Sequence, residues 1–448
     1  MLGETEIRKI TEQVLAISTA DQTEVLFWGE ESQLTRFANS AIHQNVAEAN
    51  TEVRVRVVLG KKIGVASTNE LGAEALERVV ETATTVAALQ PDNPDFKSLP
   101  GPAAIAEGKA YVEATASATP EQRAHRVGAI CRQARDKGLN AAGAFKTGCY
   151  EIAVANSLGL FAYHPATVAH LNTVIMSDTG SGFASRVAVD VREIDAEAVG
   201  TVAVDKALRS RNPVEIEPGE YTVILEEEAV NDMVFFLGYM GFGARQVQEG
   251  RSFMCGKFGE EIVDRNISIW DDGLDQVGLV MPFDFEGVPK RRVDLIKNGV
   301  AEGVVYDSYT AGKEEGKKST GHALPAPNTF GPFPFNLFMA RGTATKEEML
   351  ASTERGIWVT RFHYTNIVHP LKTIITGMTR DGTFFIEKGE LVKPIKNMRF
   401  TQSILEALSN VEMVGKEGKL ARKGWSGAGS YAPALKISTF RFTGKTQF

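Results

Sequence analysis

The chain reads as an α+β protein. An N-terminal domain repeats a helix–strands–helix unit, and a mostly antiparallel β C-terminal domain with a strand-to-helix insertion follows it. Three observations predict this. Two short segments recur at a near-constant offset, and period-2 alternation lies between helix-patterned stretches in both copies. Beyond residue 215 the composition turns Gly-rich and strand-rich.

The recurrence pairs Ala38-Asn39-Ser40 in "RFANSAIHQN" with Ala155-Asn156-Ser157 in "AVANSLGLFAYH", at an offset of 117 residues. Gly64 in "IGVAST" pairs with Gly182 in "SGFASR" at 118. A helix is predicted before each copy, over residues 6–17 and 120–138. In the second of these, Pro120 and Glu121 suit a first turn and Gly138 a stop. A helix follows each copy, over 72–89 and 195–210. Between them "TEVRVRVVLG" puts Val53, Val55 and Val57 on one face of a strand and Glu52, Arg54 and Arg56 on the other. The shared Asn-Ser reads as a turn between strands. Neither serine has a His and an acid in a known triad order, so neither reads as a nucleophile. The expected organisation is a domain over 1–215, with copies at about 1–90 and 120–210 and a Pro-rich linker at 91–119, and a second domain over 216–448.

The second domain opens with "YTVILEEE", a strand, and a helix in "VNDMVFFLGYMGFGARQVQEG" (230–250). Another helix is expected in 400–415. The remaining segments, such as "RNISIWDD" and "PALKISTFRFTG", read as strands. Lys297-Asn298-Gly299 and Arg380-Asp381-Gly382 each carry a hairpin signal.

A net charge of -7 argues against a nucleic-acid partner, because phosphate contacts need surplus Lys and Arg. The densest basic run, "PKRR" at 289–292, reads as a solvated turn. Cys131, Cys149 and Cys255 have no CxxC spacing and read as reduced thiols. The N-terminus has no signal-peptide apolar core, and no apolar run approaches the roughly 20 residues that span a bilayer. The expectation is a soluble, cytoplasmic protein without membrane contact.

Several segments in order carry a resemblance: "RFANSAIHQN…VRVVLGKKIGVASTN", "VANSLG", "MCGKFGEEIVDRNISIWDDG", "FEGVPKRRVDLIKNGVAEGVVYD" and "TGMTRDGTFFIEKGELVKPI". Together they resemble the TldD/TldE (PmbA) peptidase family, whose older name is modulator of DNA gyrase. The resemblance implies a cytoplasmic TldD–TldE pair that cleaves unfolded peptides, with zinc in an active site enclosed between subunits. It also implies an HExxxH helix after a strand in the TldD-type member, its histidines on one face, and a later Cys ligand. In this chain those positions fall on Phe235, Phe236 and Met240, and no His occurs between His170 and His322. Trp425 and Ser426 stand near the place of the Cys. The match is therefore to the TldE/PmbA-like type. The expectation is no catalytic residue and no cofactor in this chain, zinc in a TldD-like partner, and a dimer with that partner or with itself. The helix is expected to serve as core or subunit interface.

Residue type offers a few other sites. His363 and His369, six apart on one strand, would stand on the order of 20 Å apart, too far for one metal unless the chain turns. His322 in "STGHALPAP" lies on a Gly/Pro loop like one near the family's chamber, and is the candidate substrate contact. Cys255 reads as inert despite Lys257 nearby. "DDG" (271–273) and "DFEG" (284–287) read as β-turns, and "GAGS" (427–430) lacks the context of a nucleotide loop. The functional alternatives are a stand-alone peptidase with a relocated site and a non-enzymatic binding modulator.

Overall fold

The structure, a computed structural model, describes residues 1–422 and 428–446. Its first half contains α1 (Glu4–Ile17), β1 (Gln22–Ala38), β2 (Ala41–Leu59), β3 (Lys62–Thr68) and α2 (Ala73–Leu89). After a connector with one short turn of helix, α3 (Glu113–Ala116), the same order returns as α4 (Pro120–Asp136), β4 (Asn140–Asn156), β5 (Phe161–Met176), β6 (Ser181–Ala188) and α5 (Ala196–Arg209). The six strands form one antiparallel sheet, ordered β3-β2-β1-β4-β5-β6.

The recurring glycines explain why the copies look alike. A Cβ on Gly64 would sit 2.0 Å from the Ala83 carbonyl oxygen of α2, and one on Gly182 would sit 2.2 Å from the Ala203 oxygen of α5. In each copy only a residue without a side chain lets the last strand lie against the following helix. The Asn-Ser turns also hold. Asn39 and Ser40 adopt φ of 52° and 54° between β1 and β2, and Asn156 Oδ1 accepts from the Leu158 and Leu160 amides between β4 and β5. At α4, Thr119 accepts from the Gln122 amide in a capping box, with Pro120 in the first turn.

The second half contains β7 (Gly219–Leu225), α6 (Glu227–Gly241), α7 (Ala244–Gln248), β8 (Ile269–Asp271), β9 (Val293–Lys297), β10 (Val300–Ala301), α8 (Ser308–Gly312) and β11 (Asn336–Met339). It continues with α9 (Lys346–Ala351), β12 (Arg355–His369), β13 (Ile374–Glu387), β14 (Glu390–Pro394), β15 (Met398–Ser403), α10 (Ile404–Ser409), β16 (Val411–Arg422) and β17 (Gly429–Lys445). The path β10-β9-β8-β11-β17-β15-β13-β12-β7 is mostly antiparallel; β11–β17 and β7–β12 run parallel. Because β17 also pairs with β7, the pairings β17-β15-β13-β12-β7 close into a ring. Phe362, Phe400, Phe440 and Phe442 pack against one another in its core.

The Asn298-Gly299 hairpin is present between β9 and β10, with φ of 49° and 83°. The second hairpin expectation is corrected. Asp381-Gly382 lies inside β13 as a bulge, with φ of 55° and 118°, and the register against β12 shifts there. The reason is the Asp381 carboxylate, 3% exposed, which binds Arg361 and accepts from Ser181 Oγ at 2.7 Å. The chain turns instead at Lys388-Gly389, leading into β14. Of the helix expected in 400–415 only α10 forms, flanked by two strands.

Polar contacts tie the halves together. Arg56 Nη1 donates to Glu286 Oε1 at 3.1 Å, Lys206 Nζ to Glu226 Oε2 at 2.6 Å, and Tyr309 Oη to Asp95 Oδ2 at 3.2 Å.

Candidate functional site

The helix α6 is delivered by β7, which ends at Leu225. Glu226 stands at the junction, where it accepts from Lys206 and from Trp358 Nε1 at 2.7 Å. Burial would raise its carboxyl, and Lys206 and Lys346 override that and hold it below the usual range. One face of α6 is core: Val230, Met233, Val234, Leu237 and Met240 are each at most 3% exposed. The outer face is aromatic. Phe235 and Phe236 are half-buried, and Tyr239 is 47% exposed. Phe235 meets Phe333 at 6.3 Å, Tyr239 meets Phe330 at 5.1 Å, and Phe330 meets Phe333 at 5.8 Å between ring centroids.

In this chain the two positions do not share a face. Positions five apart on an α-helix are rotated by roughly 140°. Phe235 therefore turns outward to Phe333, while Met240 enters the core. None of Phe235, Phe236 and Met240 carries a hard nitrogen or oxygen donor or a thiolate, so these residues do not fit zinc. Among the described residues no group of three or more His, Cys, Asp or Glu side chains is placed to hold a metal ion. Trp425 and Ser426, with Gly427 of "GAGS", lie outside the described residues.

His322 is also corrected as a substrate contact, because it is 0% exposed. Its Nε2–H donates to Asp271 Oδ1 at 2.8 Å, and Nδ1 lies 2.9 Å from Thr320 Oγ1. Asp271 also accepts the Asn336 amide at 2.7 Å, with Lys290 Nζ at 3.8 Å. Lys290 is 4% exposed, donates to Asn336 Oδ1 at 2.9 Å and lies 5.1 Å from the Phe335 ring centroid. Two sequence readings fall here: Lys290 of "PKRR" is buried instead of solvated, and Asp271 of "DDG" is a strand residue. Burial pushes the His322 imidazole down against the pull of Asp271, so it is neutral. For Asp271 burial acts upward, but Lys290 and His322 outweigh it and keep the carboxylate charged. Thr320, His322 and Asp271 thus share the connectivity of a nucleophilic triad. They do no such work, because Thr320 is 4% exposed and its Oγ1 is taken by the Tyr306 amide at 2.8 Å.

His363 and His369 are not brought together as a site. The β12–β13 register shifts between His363 and Asn366, where Tyr364 has φ of 53°. His363 is half-buried and His369 exposed. Burial first, then Arg380 and Arg361, hold the His363 imidazole down. Cys255 is half-buried, its Sγ donating to the Val247 carbonyl at 3.6 Å.

Between the halves lies a cleft of about 590 Å³, lined by Arg56, Phe96, Glu286, Asp307 and Leu324 among others. Arg56 pairs with both Glu24 and Glu286, and burial pushes the Glu24 carboxyl up to about 6. The turn expected in "DFEG" is present, with the Gly287 amide on the Asp284 carbonyl at 3.0 Å, but both carboxylates are buried. Sequence reasoning missed Arg56 and Asp307. Alternation placed Arg56 on the polar face of β2, and only the packing of the second half onto that face buries it.

Residues 218–444 match the family described as the PmbA/TldA metallopeptidase C-terminal domain, and residues 24–87 match PmbA/TldA metallopeptidase domain 1. A Haemophilus influenzae protein named metalloprotease TldD homolog is 25% identical over 418 residues, 86% of this chain and 85% of that protein. An uncharacterized protein of Methanocaldococcus jannaschii is 36% identical over 130 residues, a match spanning 29% of this chain and 31% of that protein. The crystal structure of TldE from Thermococcus kodakarensis shares the fold, with a TM-score of 0.89 at 22% identity, covering 98% of this chain and all of that one.

Proposed function

Because the chain belongs to the PmbA/TldD metallopeptidase family, we propose that it acts as a TldE-like subunit of a TldD/TldE-type peptidase. Its own helix holds no zinc. The reading carries over the family's setting, a cytoplasmic dimer with a metal-bearing TldD-like chain that handles unfolded peptides. The observation that carries it is α6: the strand-to-helix scaffold is kept, and aromatic and aliphatic side chains stand where donor atoms would be needed. The half-exposed ring surface of Phe235, Phe236, Tyr239, Phe330 and Phe333 suits burial against a partner subunit or a peptide's apolar side chains. β-Strand addition would supply the remaining affinity without demanding sequence. A self-standing peptidase is disfavoured by the sealing of His322.

The test is co-expression with an HExxxH-bearing relative, followed by zinc analysis and casein hydrolysis. The expected result is hydrolysis by the pair, lost when the relative's motif Glu becomes Gln, and neither stoichiometric zinc nor hydrolysis with this chain alone. Tight zinc together with peptidase activity in the isolated chain overturns the reading.

A further inference from the structure

The two copies in the first half differ at one edge. Val57 of β2 pairs with Gly64 and Ile175 of β5 pairs with Gly182, so the two strands correspond at an offset of 118 residues. In the second copy, the stretch of β5 that β6 leaves unpaired is covered by the connector. The Thr167 amide donates to the Ala110 carbonyl at 2.8 Å, the Val112 amide donates to Thr167 Oγ1 at 3.1 Å, and Ala110 packs with Ala166 and Tyr150. Ala166, Thr167 and Val168 are buried as a result. Pro165 stands on the same edge and has no N–H to offer a further strand.

The matching stretch of β2 is bare. β3 pairs with β2 only from Val53 to Leu59, and among the described residues the backbone of 41–52 bonds to β1 alone. Residues 43–45 and 47–50 are exposed. Ala47 and Ala49 hold the places of Pro165 and Thr167. Thr167 aims its amide away from β4, and strand alternation turns the amides of Ala47 and Ala49 outward in the same way. Sheet edges are normally guarded by Lys, Pro, a bulge or a covering segment. Residues 41–52 contain no Pro, Lys or Arg, and their one bulge lies at the hairpin end, opposite Arg36 and Phe37. The row of unpaired amides and carbonyls beyond it is a template for another strand.

We propose that this edge pairs with the same edge of a second copy of the chain, antiparallel about a twofold axis at Val46. The strand is complementary to itself in that register. The two valines meet, Asn45 faces Ala47, and Gln44 faces Glu48. Gln44 Oε1 accepts from Arg36 at 3.4 Å, which leaves the Gln44 NH2 to donate to Glu48 of the second copy. Neighbouring registers are worse. An axis at Asn45 sets Gln44 against Val46, one at Ala47 sets Val46 against Glu48, and one at Glu48 brings the two carboxylates together. The pairing joins the two N-terminal sheets into one. It goes beyond the subunit reading above and does not depend on it.

The experiment follows the full chain alone by sedimentation over the micromolar range. Reversible dimers are expected. Ala47→Pro copies the residue that the second copy carries at this position, so the fold should hold and the thermal melt stay cooperative. It deletes an outward N–H from each partner and is expected to weaken self-association at least about tenfold. Val46→Cys supplies an independent reading. Across the proposed seam the two residues 46 form a non-hydrogen-bonded pair with Cα atoms roughly 4.5 Å apart, within disulfide range. Under diamide this variant should cross-link to a dimer, and Val202→Cys, an exposed position on α5, should do so at least about tenfold more slowly. A monomer at every concentration, unchanged association in folded Ala47→Pro, or equal cross-linking at 46 and 202 overturns the proposal. If Ala47→Pro does not fold, the cross-linking comparison decides the matter. An edge kept for an extended peptide or for a different chain would leave the protein monomeric by itself, which is the first of those overturning results. The co-expression assay reads hydrolysis and this one reads self-association, so either reading can fail while the other stands.

Discussion

Two regions of the second half carry the residue types and the access a reaction needs, but never together. In the nest of Asp271, Lys290, His322 and Asn336, titratable groups sit at hydrogen-bonding distance with no more than 4% of any of them exposed. Along the outer face of α6 the surface is open and the side chains are phenylalanine and tyrosine. The nest is rich in chemistry and shut, whereas the helix is accessible and inert. Residue type alone would have picked the first as an active site, and scaffold alone would have picked the second. Function requires both conditions in one place.

The sharpest way to break this comparison is truncation. Asp271→Ala leaves Lys290 buried without its countercharge, and a loss of about 3–5 kcal/mol in unfolding free energy is expected by chemical denaturation. The same truncation at Tyr239, half in solvent, is expected to cost under about 1 kcal/mol in the isolated chain. Similar values for the two would mean the nest is not held by its charges.

A smaller effect comes from pH. His164, 3% exposed and T-shaped against Phe283, has its Nε2 3.1 Å from the Val280 carbonyl. Burial lowers its pKa from 6.5 to about 4. The unfolded chain then binds the proton first, so stability is full above about 6.5 and falls as pH drops toward 4. His322 acts in the same direction. The His164 share amounts to roughly 2 kcal/mol at pH 5. His164→Gln should flatten the stability–pH curve between 4 and 6.5; an unchanged slope would show that the imidazole is charged when folded.

The smallest expected effect is the most direct probe of α6. Grafting Phe235→His, Phe236→Glu and Met240→His together should give no stoichiometric zinc in a competition titration, because in this chain position 240 faces the core while position 235 faces Phe333. Tight binding would mean that α6 rotates or unwinds locally to bring them together.

The sequence made the duplicated half legible because its signals are local. Gly64 and Gly182, the Pro120 first turn and the Asn39-Ser40 turn each act within a few residues of themselves. It also showed what α6 lacks, since a missing donor is visible in any frame. It misled wherever burial came from a distant segment. Lys290 and Arg56 both look like surface cations, yet one is roofed by Phe335 and Asn336 and the other by Glu286. Asp381-Gly382 has the composition of a hairpin and becomes a bulge, because Arg361 and Ser181 claim its carboxylate from other strands. His322 lies on a glycine- and proline-bearing loop that packs inward, and nothing near it in the chain announces that.

The seam between β1 and β4 has a consequence of its own. Its register runs from Glu24 opposite Asn156 to Phe37 opposite Gly143, and a half-turn that exchanges the two copies carries one end of that ladder onto the other within two residues. A chain holding a single copy would expose this strand as a bare edge, best capped by its own twin. The six-stranded sheet is the arrangement two such chains would reach by pairing, fixed into one polypeptide by the segment that crosses from α2 to α4.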